Sequence, residues 1–476
     1  MLFNSLAYLI FLPCVFLLYW LLPHRFRWLL LLISSYYFYM SWNAKYIVLI
    51  LFTTVVSYFS ARMIERASEK RKKKRILLLS GLLCLGVLFV FKYFNFAFES
   101  ITLVLRMFSI RLNPWTLNLL LPVGISFYTF QTLSYIIDVY RGDIAAERHF
   151  GHYATFVAFF PQLVAGPIER TKNLLPQIKA IHRFDYDKAS YGLKLIAWGF
   201  FKKLCVADVI AVYVDAVYSS LDSNTGFPML VAVLGFTIQI YCDFSGYSDI
   251  AIGTAKLLDI QLMDNFRSPY FSKSVKEFWS RWHISLSTWF RDYVYIPLGG
   301  NRCGKVRNIF NLMVTFLVSG LWHGANWTFV VWGGIHGLAQ AVERICDKFL
   351  QAFRKKRIGA VVSWIVVLAF CSIAWVFFRA DSVRDALFIL SHMFTGISKG
   401  TRYFSNSIGL GVFACAKIAF MVGILGFFDF FSLKTDVIRW IGNRKVVIRW
   451  GIYIIFVMII YLFARVGNNS FIYFQF

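Results

Sequence analysis

Acidic residues are scarce in this chain of 476 residues: 24 Asp and Glu stand against 50 Lys and Arg. The resulting formal net charge of +26 would suggest nucleic-acid binding in a soluble protein. Here, however, the cations lie in short loops between apolar runs, which is typical of cytoplasmic loops that face anionic lipid. We therefore expect the lipid bilayer as a partner and no nucleic acid.

Metal-binding and disulfide patterns are also missing. The eight cysteines are scattered, and neither a CxxC pair nor a Cys/His cluster with zinc spacing occurs. We expect no structural disulfide and no metal site. Met1–Tyr19 is apolar but has no basic n-region, and no small-residue cleavage site follows it. This segment is therefore predicted to be a retained helix rather than a signal peptide.

Low-complexity linkers and internal repeats are absent too, so one membrane-embedded domain over residues 1–476 is the simplest organisation. Hydrophobic residues make up 59% of the chain, against roughly 45–50% in soluble domains. The pattern predicts an all-α, polytopic membrane protein with roughly 11–13 transmembrane or re-entrant helices. The predicted spans are Leu6–Leu22, Trp28–Trp42, Tyr46–Phe59, Ile76–Tyr93, Leu117–Val139, Tyr153–Val164, Tyr191–Tyr218, Met229–Ile252, Ile309–Leu321, Trp327–Val342, Val361–Phe378, Ile408–Phe431 and Trp450–Phe463.

The basic loops set the predicted orientation. The strongest is Arg62–Arg75, which contains six consecutive basic residues and is expected in the cytoplasm, with the N-terminus outside. The C-terminal segment Phe471–Phe476 is predicted to be external. Other cytoplasmic candidates are Arg141–Arg148, Arg170–Arg183, Asn301–Arg307, Lys348–Arg357 and Lys434–Arg449.

The chemistry is expected within residues 157–340, where polar groups, Gly and Pro crowd among apolar residues. His323 lies between two hydrophobic spans, and an ionisable side chain inside a membrane is costly and indicates function. Imidazole suits proton transfer, and burial should keep it neutral and able to accept a proton. A structural histidine bonded to a neighbouring carbonyl is the alternative. On a continuous helix His336 would lie roughly 20 Å away, so we expect a structural or tunnel-lining role for it.

A second segment surrounds His283. Ser274–Glu277 has the form of a capping box and predicts a helix start, and Pro297–Gly300 predicts its end. Aromatic residues recur at three- and four-residue steps on this helix, while Arg281, Ser285 and Ser287 lie off the aromatic face. A re-entrant helix lining a cavity is favoured over an interfacial amphipathic helix, because the polar side carries His, Ser and Thr rather than Lys.

Two further segments interrupt apolar runs. In Gln239–Asp249, Asp243 and Asp249 could orient a histidine, pair with arginine or hold a bent helix, and no GxSxG elbow accompanies Ser245. In Phe159–Arg170, two prolines and a glycine predict a re-entrant hairpin. Arg170 and Lys172 would either meet donor phosphates or serve as ordinary positive-inside charges.

These segments together resemble the membrane-bound O-acyltransferase family, and most closely its bacterial alginate O-acetyltransferase branch. The resemblance covers nearly the whole chain and is weakest in roughly residues 345–460. The matching segments are Lys92–Asn95, Phe160–Arg170, Ile240–Ser248, Asn265–Tyr270, Ser280–Ser287, Trp289–Tyr293, Pro297–Arg302 and Leu321–Gly324. The related D-alanyl transfer proteins of teichoic acid modification share the histidine motifs but match less well at Pro161–Arg170.

The resemblance implies a helix bundle around a central tunnel that is narrowest at the histidine pair, with His323 as the catalytic residue and His283 as the second histidine. The expected reaction moves acetyl from cytoplasmic acetyl-CoA to a hydroxyl on an extracytoplasmic partner protein or exopolysaccharide, at the bacterial cytoplasmic (inner) membrane. His323 would act as general base, and His283 would position the thioester or the acceptor. The expected substrate and tunnel residues are Trp279, Arg281, Trp282, Ser285, Trp289, Trp322, Asn326 and His336, supported by Asp243, Ser245 and Asp249.

Three other functions remain open at this point. D-alanyl transfer to teichoic acid would use the same histidines. A proton-coupled transporter or channel would use them as a proton relay, although internal repeats would be expected there. An inactive scaffold for an exopolysaccharide machine is the third alternative, and the two intact histidine motifs argue against it.

Overall fold

The computed structural model describes residues 1–110, 115–396, 412–465 and 471–472. Within these ranges every regular element is helical, so the predicted all-α class is confirmed. In the same ranges six helices are long and apolar enough to cross a bilayer, as expected for a multi-pass membrane protein. The chain forms two compact units, which are described separately: unit 1 is Met1–Leu193 with Ala251–Met263, and unit 2 is Lys194–Ile250 with Asp264–Phe476.

Unit 1 is built from the N-terminal helices, which are joined by buried polar side chains. Tyr153 donates a hydrogen bond to Ser57 at 2.6 Å, and Gln131 donates to the Phe156 carbonyl at 2.7 Å. Because buried polar groups need partners, such bonds fix how these helices pack. The helices are α1 (Leu6–Leu21), α2 (His24–Met40), α3 (Ile47–Arg66), α4 (Lys70–Leu88), α5 (Phe94–Met107), α6 (Ile125–Arg141), α7 (Phe150–Ala158) and α8 (Thr171–Lys179).

Unit 2 contains both histidine motifs and an aromatic core that is centred on Trp282, Trp332 and Trp375. Two of its helices, Tyr186–Phe200 and Phe227–Leu257, also include residues of unit 1. The helices are α9 (Tyr186–Phe200), α10 (Asp208–Tyr218), α11 (Phe227–Leu257), α12 (Val275–Arg281), α13 (Ile284–Phe290), α14 (Lys305–His323), α15 (Trp327–Ile345), α16 (Asp347–Lys355), α17 (Arg357–Arg379), α18 (Val383–His392), α19 (Val412–Ser432), α20 (Val437–Gly442) and α21 (Val446–Phe463).

Several predicted boundaries are wrong in unit 1. The basic run at 70–75 forms the first turns of α4 rather than a loop, because Lys and Arg are good helix formers. The span predicted at Tyr153–Val164 stops at Ala158, since Pro161 and Pro167 break the helix that α7 begins. The span predicted at Leu117–Val139 becomes helical only from Ile125, after Pro122 and the left-handed Gly124.

At the C-terminal end, the predicted span Ile408–Phe431 begins in residues 408–411, which lie outside the described residues. Of the C-terminal segment that was predicted to be external, Phe471 and Ile472 are buried in unit 2, and residues 473–476 lie outside the described residues.

A helical hairpin made of α14 and α15 presents the main histidine motif. Gly320 and Gly333 face each other where the helices cross, and a Cβ added at Gly333 would collide with the Phe316 carbonyl oxygen. Asn326 caps α15 by accepting a hydrogen bond from the Thr328 N–H at 3.0 Å. These two glycines therefore let the helices pack closely, as expected where backbones approach each other. His323 and His336 do not share one continuous helix.

Candidate active site

His323 is the last residue of α14 and is almost fully buried. Its imidazole packs edge-on against Trp332, with the ring centroids 5.0 Å apart, and against Phe378 at 5.5 Å. Trp322 lies 4.9 Å away on a third side. An aromatic enclosure of this kind excludes water, so the imidazole lies in a low-dielectric environment where electrostatic interactions are strong.

His283 occupies a break between two short helices, so the single helix predicted to run from Ser274 to Pro297 is wrong. The predicted start is confirmed: the Ser274 hydroxyl caps α12 by accepting from the Glu277 N–H at 2.9 Å. The helix ends at Arg281, and His283 adopts a left-handed conformation with φ of +43° before α13 begins. A non-glycine residue in this region is strained by about 1–3 kcal/mol, and such strain clusters at active sites.

Asn265 holds His283 in this conformation. Its carbonyl oxygen accepts from the Ile284 N–H at 3.0 Å, and its side-chain oxygen accepts from His283 Nδ1 at 3.0 Å. The same oxygen accepts from the Ser285 hydroxyl at 2.9 Å, while the amide nitrogen donates to Ser248 at 3.0 Å. Because an amide oxygen only accepts, Nδ1 carries the proton, and Nε2 is the basic nitrogen of the neutral ring.

The two histidines come together. Their ring centroids lie 6.2 Å apart, and Trp322 is close to both rings, at 6.1 Å from His283. A neutral imidazole in a water-poor enclosure can accept a proton from a hydroxyl, which is the step that an acyl transfer to an alcohol requires.

A cavity of about 480 Å³ lies along the hairpin. One part of its lining includes Ser319, which lies one helical turn before His323 on the same face of α14, together with the indole of Trp279. Its other part carries four basic and two acidic side chains, which are Lys276, Arg291, Arg344, Arg354, Glu343 and Asp347. The charged part therefore lies beside the ends of α14 and α15 that adjoin the basic loops predicted to be cytoplasmic.

His336 lies closer to the site than the prediction of roughly 20 Å allowed. Its ring and that of His323 are each 5.0 Å from Trp332, so their centroids are at most twice that distance apart. His336 Nδ1 accepts a hydrogen bond from the indole N–H of Trp279 at 3.2 Å. His336 thus anchors an indole that lines the cavity, whereas Trp282 packs in the aromatic core, 4.9 Å from Trp375.

Three other predicted residues make contacts away from the histidine rings. Arg281 forms an ion pair with Glu277 at 2.7 Å and is partly exposed. Trp289 packs on Tyr293, with the ring centroids 5.0 Å apart. Asn326 caps α15 and donates to the Asp381 carbonyl at 3.0 Å. These contacts support the local structure, and a direct role in binding stays a prediction for each of them.

Within the described residues, the two aspartates of α11 form ion pairs with lysines rather than with an arginine or a histidine. Asp243 accepts from Lys203 at 2.6 Å, and Asp249 accepts from Lys202 at 2.8 Å. Ser245 is fully buried beside them. The lysines lie on a π-helical stretch, Phe201–Ala207, between α9 and α10. Sequence reasoning missed them, although two adjacent lysines inside an apolar segment are the same kind of signal that singled out His323.

The chain is similar to several known proteins. Residues 144–380 match the family model of the membrane-bound O-acyltransferases. The "Probable alginate O-acetylase AlgI" of Pseudomonas putida is 38% identical over 100% of both chains. The "Peptidoglycan O-acetyltransferase" of Helicobacter pylori is 32% identical over 100% of this chain and 98% of its own. The "Teichoic acid D-alanyltransferase" of Streptococcus thermophilus is 30% identical over 52% of this chain and 63% of its own.

Proposed function

The chain belongs to the membrane-bound O-acyltransferase family, in its alginate O-acetyltransferase branch, and from that premise we propose that it carries acetyl from cytoplasmic acetyl-CoA to a hydroxyl outside the membrane. The acceptor is a cell-surface glycan, alginate or peptidoglycan, or a partner protein that relays the acetyl group. The observation that carries the proposal is the pair of buried imidazoles, His283 and His323, together with a cavity along the same helical hairpin whose lining carries basic side chains.

The basic part of the cavity suits the donor. Acetyl-CoA has a charged nucleotide head and a long, weakly polar pantetheine arm that ends in the thioester. Lys276 and Arg344 offer charge-assisted hydrogen bonds to the phosphates, and the apolar wall at Trp279 and Phe316 suits the arm. The donor then reaches the histidines without crossing lipid, which a charged molecule does only at high cost.

His323 acts as general base in this mechanism. Its imidazole takes the proton of the acceptor hydroxyl while the hydroxyl oxygen forms an ester bond with the acetyl carbonyl carbon. The thioester C–S bond then breaks, and the CoA thiolate takes the proton from the imidazolium. General-base catalysis of this kind contributes typically about 10²–10⁴-fold to the rate.

His283 is suited to the acceptor rather than to the thioester carbonyl. With its Nδ1 proton engaged by Asn265, Nε2 of the neutral ring can accept a hydrogen bond but cannot donate one. A sugar presents neighbouring hydroxyls, so one can be held by His283 while another loses its proton to His323. The same amide contact makes His283 the second candidate for the base, because an oriented imidazole is what a general base requires.

Acetyl-CoA turnover by purified variants tests the proposal. Release of the CoA thiol should be fast for the wild-type protein, fall roughly 10²–10⁴-fold in His323→Ala, and fall about 10²-fold in His283→Ala. Melting measured in the same detergent should stay unchanged in both variants. Wild-type turnover in His323→Ala would refute the assignment of the base, and a larger loss in His283→Ala would move the base to that residue. If melting fell with activity, the histidine would have a structural role.

A further inference from the structure

Phe471 and Ile472 are buried in the core of unit 2, with 1% and 6% of their surfaces exposed. The backbone N–H of Ile472 donates to the Asp243 carboxylate at 2.8 Å. The Phe471 ring packs edge-on against Tyr247, with centroids 4.8 Å apart, and the Lys203 ammonium lies over its face at 4.3 Å. We call this dipeptide the strap. It is docked by a hydrogen bond, a cation–π contact and an aromatic contact.

The docking group is a buried cluster of three charges. Lys203 contacts Asp243 at 2.6 Å and Asp208 at 3.0 Å, and the side chains of all three residues are at most 3% exposed. Charges buried in this way require hydrogen bonds on their remaining lone pairs. Because Lys203 engages one oxygen of Asp243, the Ile472 N–H supplies the donor for the other oxygen. The strap thus completes the solvation of this carboxylate.

The same turns of α11 hold His283. Phe244 follows Asp243 directly, and its ring packs edge-on against the His283 imidazole, with centroids 4.6 Å apart. Ser248 follows Tyr247 and accepts the hydrogen bond from Asn265, whose other side-chain atom fixes His283 Nδ1. Along α11, Asp243 and Tyr247 contact the strap. They alternate with Phe244 and Ser248, which determine where the imidazole lies.

We propose that the Phe471–Ile472 strap is a positioning element for the acetyl-transfer reaction: docked on Asp243 and Tyr247, it holds this part of α11 in the register that aims His283 at the acceptor. The inference rests on the proposed function. Release of the strap leaves the Asp243 carboxylate without one of its hydrogen bonds and opens a space beside Tyr247. The α11 turns then shift, and His283 moves with Phe244 and Ser248.

Two variants of the full-length chain undock the strap by different means. Phe471→Ala removes the ring, and Ile472→Pro removes the N–H that Asp243 accepts. Tyr461→Ala is the matched control, because it also truncates an aromatic side chain near the end of the chain but at a position that is 85% exposed. Acetyl-CoA turnover gives kcat and KM, and labelling of native cysteines by N-ethylmaleimide, read by mass spectrometry, reports local opening.

Cys242 precedes Asp243 and is fully buried, as is Cys371 on α17. In both strap variants we expect kcat to fall about 10²-fold with KM for acetyl-CoA unchanged, since a misplaced catalytic group costs about that much. Labelling of Cys242 should rise about tenfold, as for a local opening, while Cys371 stays protected. Tyr461→Ala should match the wild-type protein in every measurement.

Wild-type kcat in a variant whose Cys242 is labelled would overturn the proposal, because the strap would then be released without any effect on the reaction. Equal labelling of Cys371 together with lower melting would also overturn it, since the strap would then only stabilise the unit. If the wild-type protein itself releases no CoA thiol, the proposed function fails, and the positioning role fails with it. Cys242 labelling still shows in that case whether the strap is docked.

Discussion

Replacement of Asn265 distinguishes an effect on the orientation of the His283 ring from an effect on the stability of the protein. Asn265→Ala deletes the acceptor of the His283 Nδ1 proton, the acceptor of the Ser285 hydroxyl and the donor to Ser248. The two serine hydroxyls can rotate toward other partners, but the imidazole N–H can find a new acceptor only if the ring turns. A buried donor left without its acceptor costs about 1–3 kcal/mol, and a turned ring misplaces Nε2. We therefore expect kcat to fall about 10²-fold.

Asn265→Asp is the informative counterpart, because a carboxylate still accepts from His283 and Ser285. We expect Asn265→Asp to retain most of the activity that Asn265→Ala loses. A carboxylate next to the imidazole also stabilises the imidazolium and raises its pKa. If His283 must be neutral for turnover, the acid limb of the rate profile should therefore move to higher pH than in the wild-type protein.

The assay is CoA thiol release as a function of pH by proteins purified in detergent, with melting measured in parallel. Asn311→Ala is the matched control: Asn311 is also fully buried in unit 2, and its amide donates to the Gly300 carbonyl at 3.3 Å. This control should melt at a lower temperature while its kcat stays within about twofold of the wild-type value. Wild-type kcat in Asn265→Ala, or an equal loss in Asn311→Ala, would refute the reasoning.

Three further predictions concern the donor cavity, the hairpin and the topology. Lys276→Gln should raise KM for acetyl-CoA about tenfold at unchanged kcat, because a phosphate contact contributes to binding. An equal rise in KM in the control Lys348→Gln, at an exposed lysine, would argue for a general effect of charge. Gly333→Ala should destabilise the protein by about 1–3 kcal/mol in thermal melting, whereas Gly423→Ala, with open space around it, should not. Equal melting temperatures of the two variants would contradict the packing argument. A cysteine at Ala67 should react only from the cytoplasmic side in intact cells, and labelling from outside would reverse the topology.

Sequence patterns predicted the helical class and the α12 cap, and they singled out both histidine motifs, whose functional importance stays a prediction. Each of these depends on local signals: apolar runs, a Ser followed three residues later by Glu, and an ionisable group in an apolar setting. They did not predict the break at His283. The aromatic spacing continues across the break as if one helix were present, and the bond that stabilises the break comes from Asn265, 18 residues earlier.

The spans predicted at Ile309–Leu321 and Trp327–Val342 separate α14 from α15 at the observed place. Apolarity alone does not show how closely the two helices pack. That packing depends on the facing pair Gly320 and Gly333, and Asn326, a typical helix cap, starts the second helix. The contacts of Lys202 and Lys203 with α11, and of the strap with Asp243, are long-range and leave no local pattern.

Acetyl transfer across a sealed membrane tests the central claim most directly. The wild-type protein and His323→Ala are reconstituted in proteoliposomes, with acetyl-CoA carrying a labelled acetyl group outside and an alginate or peptidoglycan oligosaccharide trapped inside. The wild-type protein should place the label on the trapped oligosaccharide, and His323→Ala should do so roughly 10²–10⁴-fold more slowly. If the partner protein is the immediate acceptor, the label should appear on it instead when it is included inside. Label transfer by His323→Ala at the wild-type rate, or wild-type vesicles that never transfer label to either acceptor, would contradict the account.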